Sequence, residues 1–240
     1  MRPIAPRALL PLSLAAWLFS SSVQAAEPAR PETPVQARAD AGDVAAQYAM
    51  ARHYGGVTGA AFDPAKSLDY TRRAARNGHT RAQVDLAFVY FNGSDLLPKD
   101  PRQSAAWFGK AAASGSVIAQ CMLGDFYRSG WGGLPKDPAR AMGYYRETAT
   151  KTDRCAAKSQ YALYVGYAAG VGAKRDLAVA TRWLKRSAEA GNPQAQATLG
   201  RNFLTGHGVP KNEEAGMDWI RRSREGVAPH DEVHDEHEHR

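Results

Sequence analysis

The glycine-rich segment GDFYRSGWGGLPKDP, residues 124–138, has a composition found in phosphate-binding loops. Glycines and a lysine before a helix could hold an anion, because free backbone N–H groups at a helix N-terminus point toward it. The segment lacks both a preceding strand pattern and the GK[ST] ending of nucleotide-binding loops. Related loops recur as NGSDLLPK, AGVGAKR and TGHGVPK. A recurring connector is explained by turn geometry, so we interpret this loop as structural.

The C-terminal segment VAPHDEVHDEHEHR places four histidines among five acidic residues. Imidazoles and carboxylates at this density are suited to loose coordination of zinc, copper or nickel. The spacing is not HExxH, which excludes a zincin site. The alternative is a disordered, solubilising acidic tail over residues 228–240. The candidate metal ligands in this segment are His230, His234, His237 and His239, and we expect no cofactor elsewhere in the chain.

The remaining polar residues give no catalytic motif. His53, His79 and His207 are widely spaced, and no serine or cysteine stands at a recognisable distance from them to form a triad. We therefore predict no catalytic residues and no small-molecule substrate.

Three landmarks recur five times through the chain, with a period of 36–39 residues. An Asp or Asn precedes an aromatic residue by seven positions, a small residue precedes a glutamine, and a second aromatic follows that small residue by eight positions. A period of this length is typical of solenoid repeats. The acidic or amide landmarks are Asp63, Asp100, Asp137, Asp176 and Asn212, and the glutamine landmarks follow Ala46, Ala82, Ala119, Ser159 and Ala195.

Each unit predicts two helices. Ala119, Leu123 and Tyr127 lie at i, i+4 and i+8, on one face of a first helix. Asp137-Pro138 places a side-chain acceptor at the N-cap of the second helix and a proline at its first turn. The predicted fold class is therefore all-α, an α-solenoid of about five helix-turn-helix units. The predicted units are 42–78, 79–115, 116–152, 153–191 and 192–227.

The combined pattern, A-Q-x-x-L-G-x-x-Y-x-x-G followed by D-x-x-x-A-x-x-W-x-x-x-A-A-x-x-G, resembles the Sel1-like repeat family, which is related to tetratricopeptide repeats. The resemblance covers residues 41–227 and implies a right-handed superhelix. Family members act as assembly scaffolds, as regulators of envelope processes or as immunity proteins against toxins. Some cysteine-rich relatives are described as weakly β-lactamase-like, but their regularly paired cysteines are absent here. Extra residues at 151–158 predict a kink or a wider loop between units three and four.

In this architecture the first helices line the concave surface, where a partner protein would bind. Positions there that the repeat does not fix carry charged, amide and aromatic residues, which suits a protein or peptide ligand. Trp131 lies in a loop outside the repeated positions and is a further candidate contact. The candidate contacts on the first helices are Arg52, Asp85, Phe88, Asp125, Arg128, Tyr164, Arg201 and Asn202.

Cys121 and Cys155 are the only cysteines, so the chain can form one internal disulfide at most. Cys121 falls in the first helix of unit three, and Cys155 falls in the inserted residues before the first helix of unit four. Because their positions in the repeat differ by about six residues, the sequence leaves open whether they form a disulfide or two free thiols.

The N-terminal region has the pattern of an exported protein. Residues 1–25 combine a basic start, an apolar run too short to span a bilayer, and a small-residue cleavage site, as in a secretory signal peptide. Residues 26–40 read as a Pro-rich flexible linker. From 26 to 226 the chain has 28 basic and 19 acidic residues, a net charge of +9 that favours an anionic or acidic partner.

We expect an exported, non-enzymatic scaffold that binds a protein partner in the periplasm, with secretion as the alternative location. Nucleic acid is not an expected ligand, because an exported protein rarely meets it. The alternative functions are immunity to a toxin, metal handling through the tail, and β-lactamase-like catalysis.

Overall fold

The computed structural model describes residues 34–57, 62–151 and 154–225. The predicted signal peptide, the first part of the predicted linker and the His-rich tail lie outside these residues. Within the described chain there are eleven helices and no strand element, which confirms the all-α prediction. None of these helices is both long and apolar enough to cross a membrane. The helices are α1 (Pro34–Asp40), α2 (Val44–Tyr54), α3 (Pro64–Arg76), α4 (Thr80–Asn92), α5 (Pro101–Ala113), α6 (Val117–Ser129), α7 (Pro138–Thr148), α8 (Arg154–Ala169), α9 (Leu177–Glu189), α10 (Pro193–Thr205) and α11 (Glu213–Glu225).

Helices that follow one another in the chain pack together, and α2 to α11 form five consecutive pairs, one for each repeat. The predicted Asp or Asn starts the second helix of every pair. Asp100, for example, accepts hydrogen bonds from the N–H groups of Arg102 and Gln103 at 2.9 and 3.0 Å. The equivalent caps are Asp63, Asp137, Asp176 and Asn212.

A second bond closes each connector within a repeat. The backbone N–H of the capping residue donates to the carbonyl of the aromatic landmark at the end of the first helix, at 2.7 to 2.9 Å. Two of the sequence landmarks are therefore bonded partners, which explains why they keep their register. The accepting carbonyls belong to Tyr54, Tyr90, Tyr127, Tyr167 and Phe203.

In four of the five units the glutamine landmark joins its helix to the helix before it. Its side-chain N–H donates to a carbonyl near the C-terminal end of the preceding helix, where backbone acceptors lack partners within the helix. Gln83 bonds the carbonyl of Ala75 at 3.2 Å, and Gln47 bonds that of Ala39 in the same way. Gln160 and Gln196 repeat the contact with Ala149 and Ala188.

Residues 34–40 correct the prediction of a flexible linker, because they form α1. Ala39 is fully buried, and Asp40 forms an ion pair with Arg73 at 2.9 Å and accepts a hydrogen bond from Tyr70 at 3.3 Å. A proline is tolerated at the start of a helix, so Pro34 does not prevent this. The helix takes the place of a preceding repeat and covers the exposed end of the first one.

The connection between repeats three and four differs from the others. At the other junctions between repeats, three residues separate the second helix of one repeat from the first helix of the next. Between α7 and α8 there are five, residues 149–153. Helix α8 has 16 residues, compared with 13 in α6. The insertion therefore gives a longer connection, as predicted, and it also adds a turn at the start of α8.

Candidate functional site

A pocket of about 230 Å³ opens between α6, α7 and α8, at the junction of repeats three and four. Its walls are mainly apolar, and Val165 on α8 is 44% exposed there. Three charged side chains also line it, namely Asp125, Arg128 and Lys158. An apolar pocket with a few convergent polar groups is the usual form of a binding site. The apolar lining residues include Ala141, Met142, Ala162 and Val171.

Tyr145 organises the charged side of this pocket. Its hydroxyl donates to Asp125 Oδ1 at 2.8 Å and accepts from Arg128 Nε at 3.3 Å. The side chain is 1% exposed, and burial together with the nearby Asp125 carboxylate raises the pKa of the phenol well above its usual range. The hydroxyl therefore stays protonated and remains a donor to the carboxylate.

Lys158, in the first turns of α8, completes the network. Its ammonium pairs with Asp125 Oδ2, so both oxygens of this carboxylate have a partner. Burial disfavours the charge of Lys158, but the hydrogen bond and the negative charge of Asp125 raise its pKa overall. The acid at the pocket is therefore compensated, and the exposed guanidinium of Arg128 carries a remaining positive charge.

Direct side-chain bonds connect the first helices of successive repeats. Tyr48 on α2 donates to Asp85 on α4 at 2.8 Å, and Tyr161 on α8 lies 3.4 Å from Thr198 on α10. The Asp125–Lys158 pair makes the equivalent connection between α6 and α8. These contacts link α2 to α4, α6 to α8 and α8 to α10, and all of these are first helices, on which the sequence predicts partner binding.

The predicted contact residues have different surroundings on this face. Arg52, Arg128 and Arg201 are exposed, whereas Asp85 and Asp125 are partly exposed and engaged in the bonds described above. Asp125 and Arg128 lie together in the pocket between α6, α7 and α8.

Aromatic and amide candidates are more engaged in packing than predicted. Phe88 is half-buried and packs edge-on against Phe108, with ring centroids 5.1 Å apart. Tyr164 is half-buried beside Tyr161 and hydrogen-bonded to Asn202. Asn202 is 8% exposed, which leaves little of its side chain accessible to a partner. Its side chain joins α8 to α10.

Trp131 is also not the free loop residue that the sequence predicts. Its ring centroid lies 4.5 Å from that of Phe126 and 4.9 Å from that of Phe91, and the Lys99 ammonium lies 5.7 Å from the ring. The loop folds back so that the indole fills the space between repeats two and three. Trp131 is partly exposed, so its role as a partner contact stays a prediction.

The glycine-rich loop supports the structural interpretation. The N–H groups of Gly130, Trp131, Leu134 and Asp137 all donate to main-chain carbonyls, which leaves them unavailable to an anion. Gly130 adopts a left-handed conformation with φ of 73°, which glycine tolerates best.

Two residues of the pocket network were missed from the sequence. Tyr145 directly follows the landmark Tyr144, and a hydroxyl at this position was a usable signal, because three of the other repeats have an apolar residue there. Lys158 directly precedes the landmark Ser159, but no landmark predicts that its side chain reaches Asp125 in the preceding repeat. The apolar equivalents of Tyr145 are Phe108, Leu184 and Ile220.

The two cysteines lie together across the same junction. Cys121 on α6 is 1% exposed and is hydrogen-bonded to Cys155 on α8, and both are thiols in this structure. Within the described residues no group of three or more His, Cys, Asp or Glu side chains is placed to hold a metal ion. The predicted metal ligands His230, His234, His237 and His239 lie outside those residues.

Comparison with known families decides the identity of the repeat. Five consecutive segments match the family model described as the Sel1 repeat, at residues 44–79, 80–116, 117–153, 157–192 and 193–226. This chain belongs to the Sel1 repeat family. The pocket therefore lies between the third and fourth Sel1 repeats. Helix α8 begins at residue 154, before the fourth matched segment begins at residue 157.

Solved structures with the same fold include two other Sel1-type chains. A protective antigen of uropathogenic Escherichia coli, described as displaying an SLR fold, is 27% identical with a TM-score of 0.70; the match covers 80% of this chain but only 40% of that one. A Sel1 repeat protein from Oxalobacter formigenes is 24% identical with a TM-score of 0.69, over 78% of this chain and 75% of that one.

A more distant match is the immunity protein Pa5087 from Pseudomonas aeruginosa, which is 17% identical with a TM-score of 0.48, over 81% of this chain and 73% of that one. Similarity at this level does not support a transfer of function. No curated protein matches the sequence.

Proposed function

We propose that this Sel1 repeat protein is a non-catalytic exported scaffold that binds a partner protein on the face of its first helices. The contact is centred on the pocket between α6, α7 and α8. The observation that carries the proposal is an exposed arginine, Arg128, beside a preformed apolar pocket whose own carboxylate is already paired.

The chemistry of the pocket defines the partner segment. Val165 and the apolar walls suit a large apolar side chain, which would be a main anchor of the interface. Arg128 suits a carboxylate next to that anchor, because its guanidinium can form two parallel hydrogen bonds with such a group. The net charge of +9 between residues 26 and 226 would also speed association with an acidic partner.

Export rests on the signal-peptide pattern of residues 1–25. The proposed location is the periplasm, with secretion as the alternative. Fractionation of producing Gram-negative cells should recover the chain in the periplasmic fraction, shortened to a start near Ala26. Recovery of the full-length chain in the cytoplasm would contradict export.

Toxin immunity would be one instance of this binding role, recognised by a tight complex of one chain with one toxin. Metal handling by the tail histidines stays a prediction. A zinc titration of the protein with and without residues 229–240 tests it, and identical binding by the two forms would contradict it.

Selection of peptides from a random phage-displayed library tests the pocket directly. The purified protein should enrich peptides with a large apolar residue beside an acidic one. Arg128→Glu should reduce their affinity at least tenfold, because it places like charges in contact, and Val165→Asp should do so by making the pocket wall polar.

Matched controls separate this effect from general changes in charge or hydropathy. Arg182 is exposed on α9, and Val57 is 60% exposed after α2, both away from the pocket. Arg182→Glu and Val57→Asp should leave affinity within about twofold. Peptides without an acidic or apolar consensus, or equal losses in test and control variants, would contradict the proposal.

A further inference from the structure

Helices α6 and α8 meet through two side-chain contacts that lie one helical turn apart. On α6, Cys121 and Asp125 are separated by four residues, which places them on the same face. On α8, Cys155 and Lys158 are separated by three. Asp125 pairs with Lys158, and Cys121 is hydrogen-bonded to Cys155. These two helices also contact each other more extensively than other first helices of consecutive repeats do.

A third contact fixes the same register. Ser159, four residues after Cys155, is fully buried, and its Oγ lies 3.7 Å from Cys121 Sγ. The Ser159 hydroxyl also lies 2.6 Å from that of Thr148 at the end of α7. Cys121 is therefore enclosed by α7 and α8, with the second cysteine of the chain against it.

We propose that Cys121 and Cys155 are a modification site, at which thiol–disulfide exchange forms a cross-link between Sel1 repeats three and four. The proposal does not depend on the partner-binding role. The cysteine supplied by the extra turn of α8 is what makes the pairing possible, because this turn has no equivalent in the other first helices.

The two thiols differ in exposure, and this difference decides which of them reacts first. Cys155 is partly exposed, whereas Cys121 is 1% exposed. The Cys155 thiolate attacks one sulfur of a small-molecule or protein disulfide, forms a mixed disulfide and releases one thiolate. The Cys121 thiolate then attacks Cys155 Sγ and releases the second. The two cysteines lose two electrons and two protons, and the donor disulfide gains them as two thiols.

The surroundings of Cys121 favour the second step. In the reduced protein the hydrogen bond with Cys155 lowers the pKa of the Cys121 thiol, and the Lys158 ammonium and Ser159 hydroxyl add to this effect, although burial opposes it. The Lys158 and Ser159 contacts remain once Cys155 has formed the mixed disulfide. A greater thiolate fraction makes a cysteine a better attacking group. The cross-link would enclose all of α7 in a covalent loop and hold α8 against α6 beside the pocket.

Oxidation of the reduced full chain by glutathione disulfide tests the proposal. Non-reducing peptide mapping by mass spectrometry should find Cys121 linked to Cys155, with no glutathione retained. The melting temperature should rise by several degrees, because the cross-link restricts the unfolded chain.

Two single variants identify the order of attack. Cys121→Ser should accumulate a stable glutathione adduct on the partly exposed Cys155. Cys155→Ser should remain unmodified under native conditions, because its remaining thiol is buried. Neither variant should gain thermal stability on oxidation. Wild-type protein that ends with glutathione on Cys155, with two alkylatable thiols, or with links only between chains would overturn the proposal.

Discussion

Replacing Tyr145 by phenylalanine removes the hydroxyl that joins Asp125 to Arg128 and leaves the packed ring in place. The hydroxyl donates to a carboxylate at 2.8 Å from a side chain that is 1% exposed, so water cannot easily replace it. A hydrogen bond to a charged group contributes about 1.5–3 kcal/mol. The 3.3 Å contact from the exposed Arg128 adds less. We therefore expect the free energy of unfolding to fall by about 2 kcal/mol.

The assay is urea unfolding, followed by circular dichroism and tryptophan fluorescence, with thermal melting as a second measure. A loss of this size corresponds to a decrease in melting temperature of about 4–8 °C for a domain of this length. Tyr144→Phe is the matched control. Tyr144 stacks on Tyr127, with ring centroids 5.9 Å apart, and its hydroxyl makes no hydrogen bond to a described residue.

The control should change the free energy of unfolding by less than about 0.5 kcal/mol. Equal effects of Tyr145→Phe and Tyr144→Phe would refute the reasoning, since the buried bond to Asp125 would then contribute nothing. Asp125→Asn should also weaken the effect of Tyr145→Phe, because the partner would no longer be charged.

Three further predictions concern the repeat itself. Asp100→Ala should lower the free energy of unfolding by about 1 kcal/mol in urea titrations, whereas Asp100→Asn should keep most of the cap. His79 caps α4, because its Nδ1 accepts a hydrogen bond from a backbone N–H, and partial burial lowers the pKa of the imidazole. The free energy of unfolding should therefore be at its full value above pH about 6.5 and fall as the pH decreases below it. His79→Asn should flatten that part of the pH profile. Gly124→Ala should destabilise by about 1–3 kcal/mol in the same titration, because its Cβ would lie 2.7 Å from the Tyr145 ring, whereas Gly109→Ala, with open space at Cβ, should be neutral or stabilising.

The repeat architecture was predictable because each landmark has a local physical role. Asp100 and Pro101 mark a helix start whatever surrounds them, and in four of the five units the glutamine bonds to the end of the preceding helix. These contacts depend on nearby residues or on the next unit, so a regular period is enough to place them.

The candidate site was only partly predictable, because it depends on an irregular junction. Asp125 and Arg128 were recognised as unexplained by the repeat, but Lys158, the partner of Asp125, lies 33 positions further along the chain, and no landmark predicts that pairing. The packing of Trp131 was not predicted, because a loop position says little about where its ring lies. Residues 34–40 were misjudged because their proline suggested an extended chain, although VQARAD contains good helix formers.

Site-specific photo-crosslinking in producing cells tests the proposed binding face most directly. A photoreactive amino acid at Val165, in the pocket wall, is compared with one at Met217, which is 62% exposed on α11. We predict that Val165 traps one discrete partner protein, that Arg128→Glu abolishes the product, and that Met217 traps none. A product that forms equally from Met217, or that survives Arg128→Glu, would contradict partner binding at the pocket between the third and fourth Sel1 repeats.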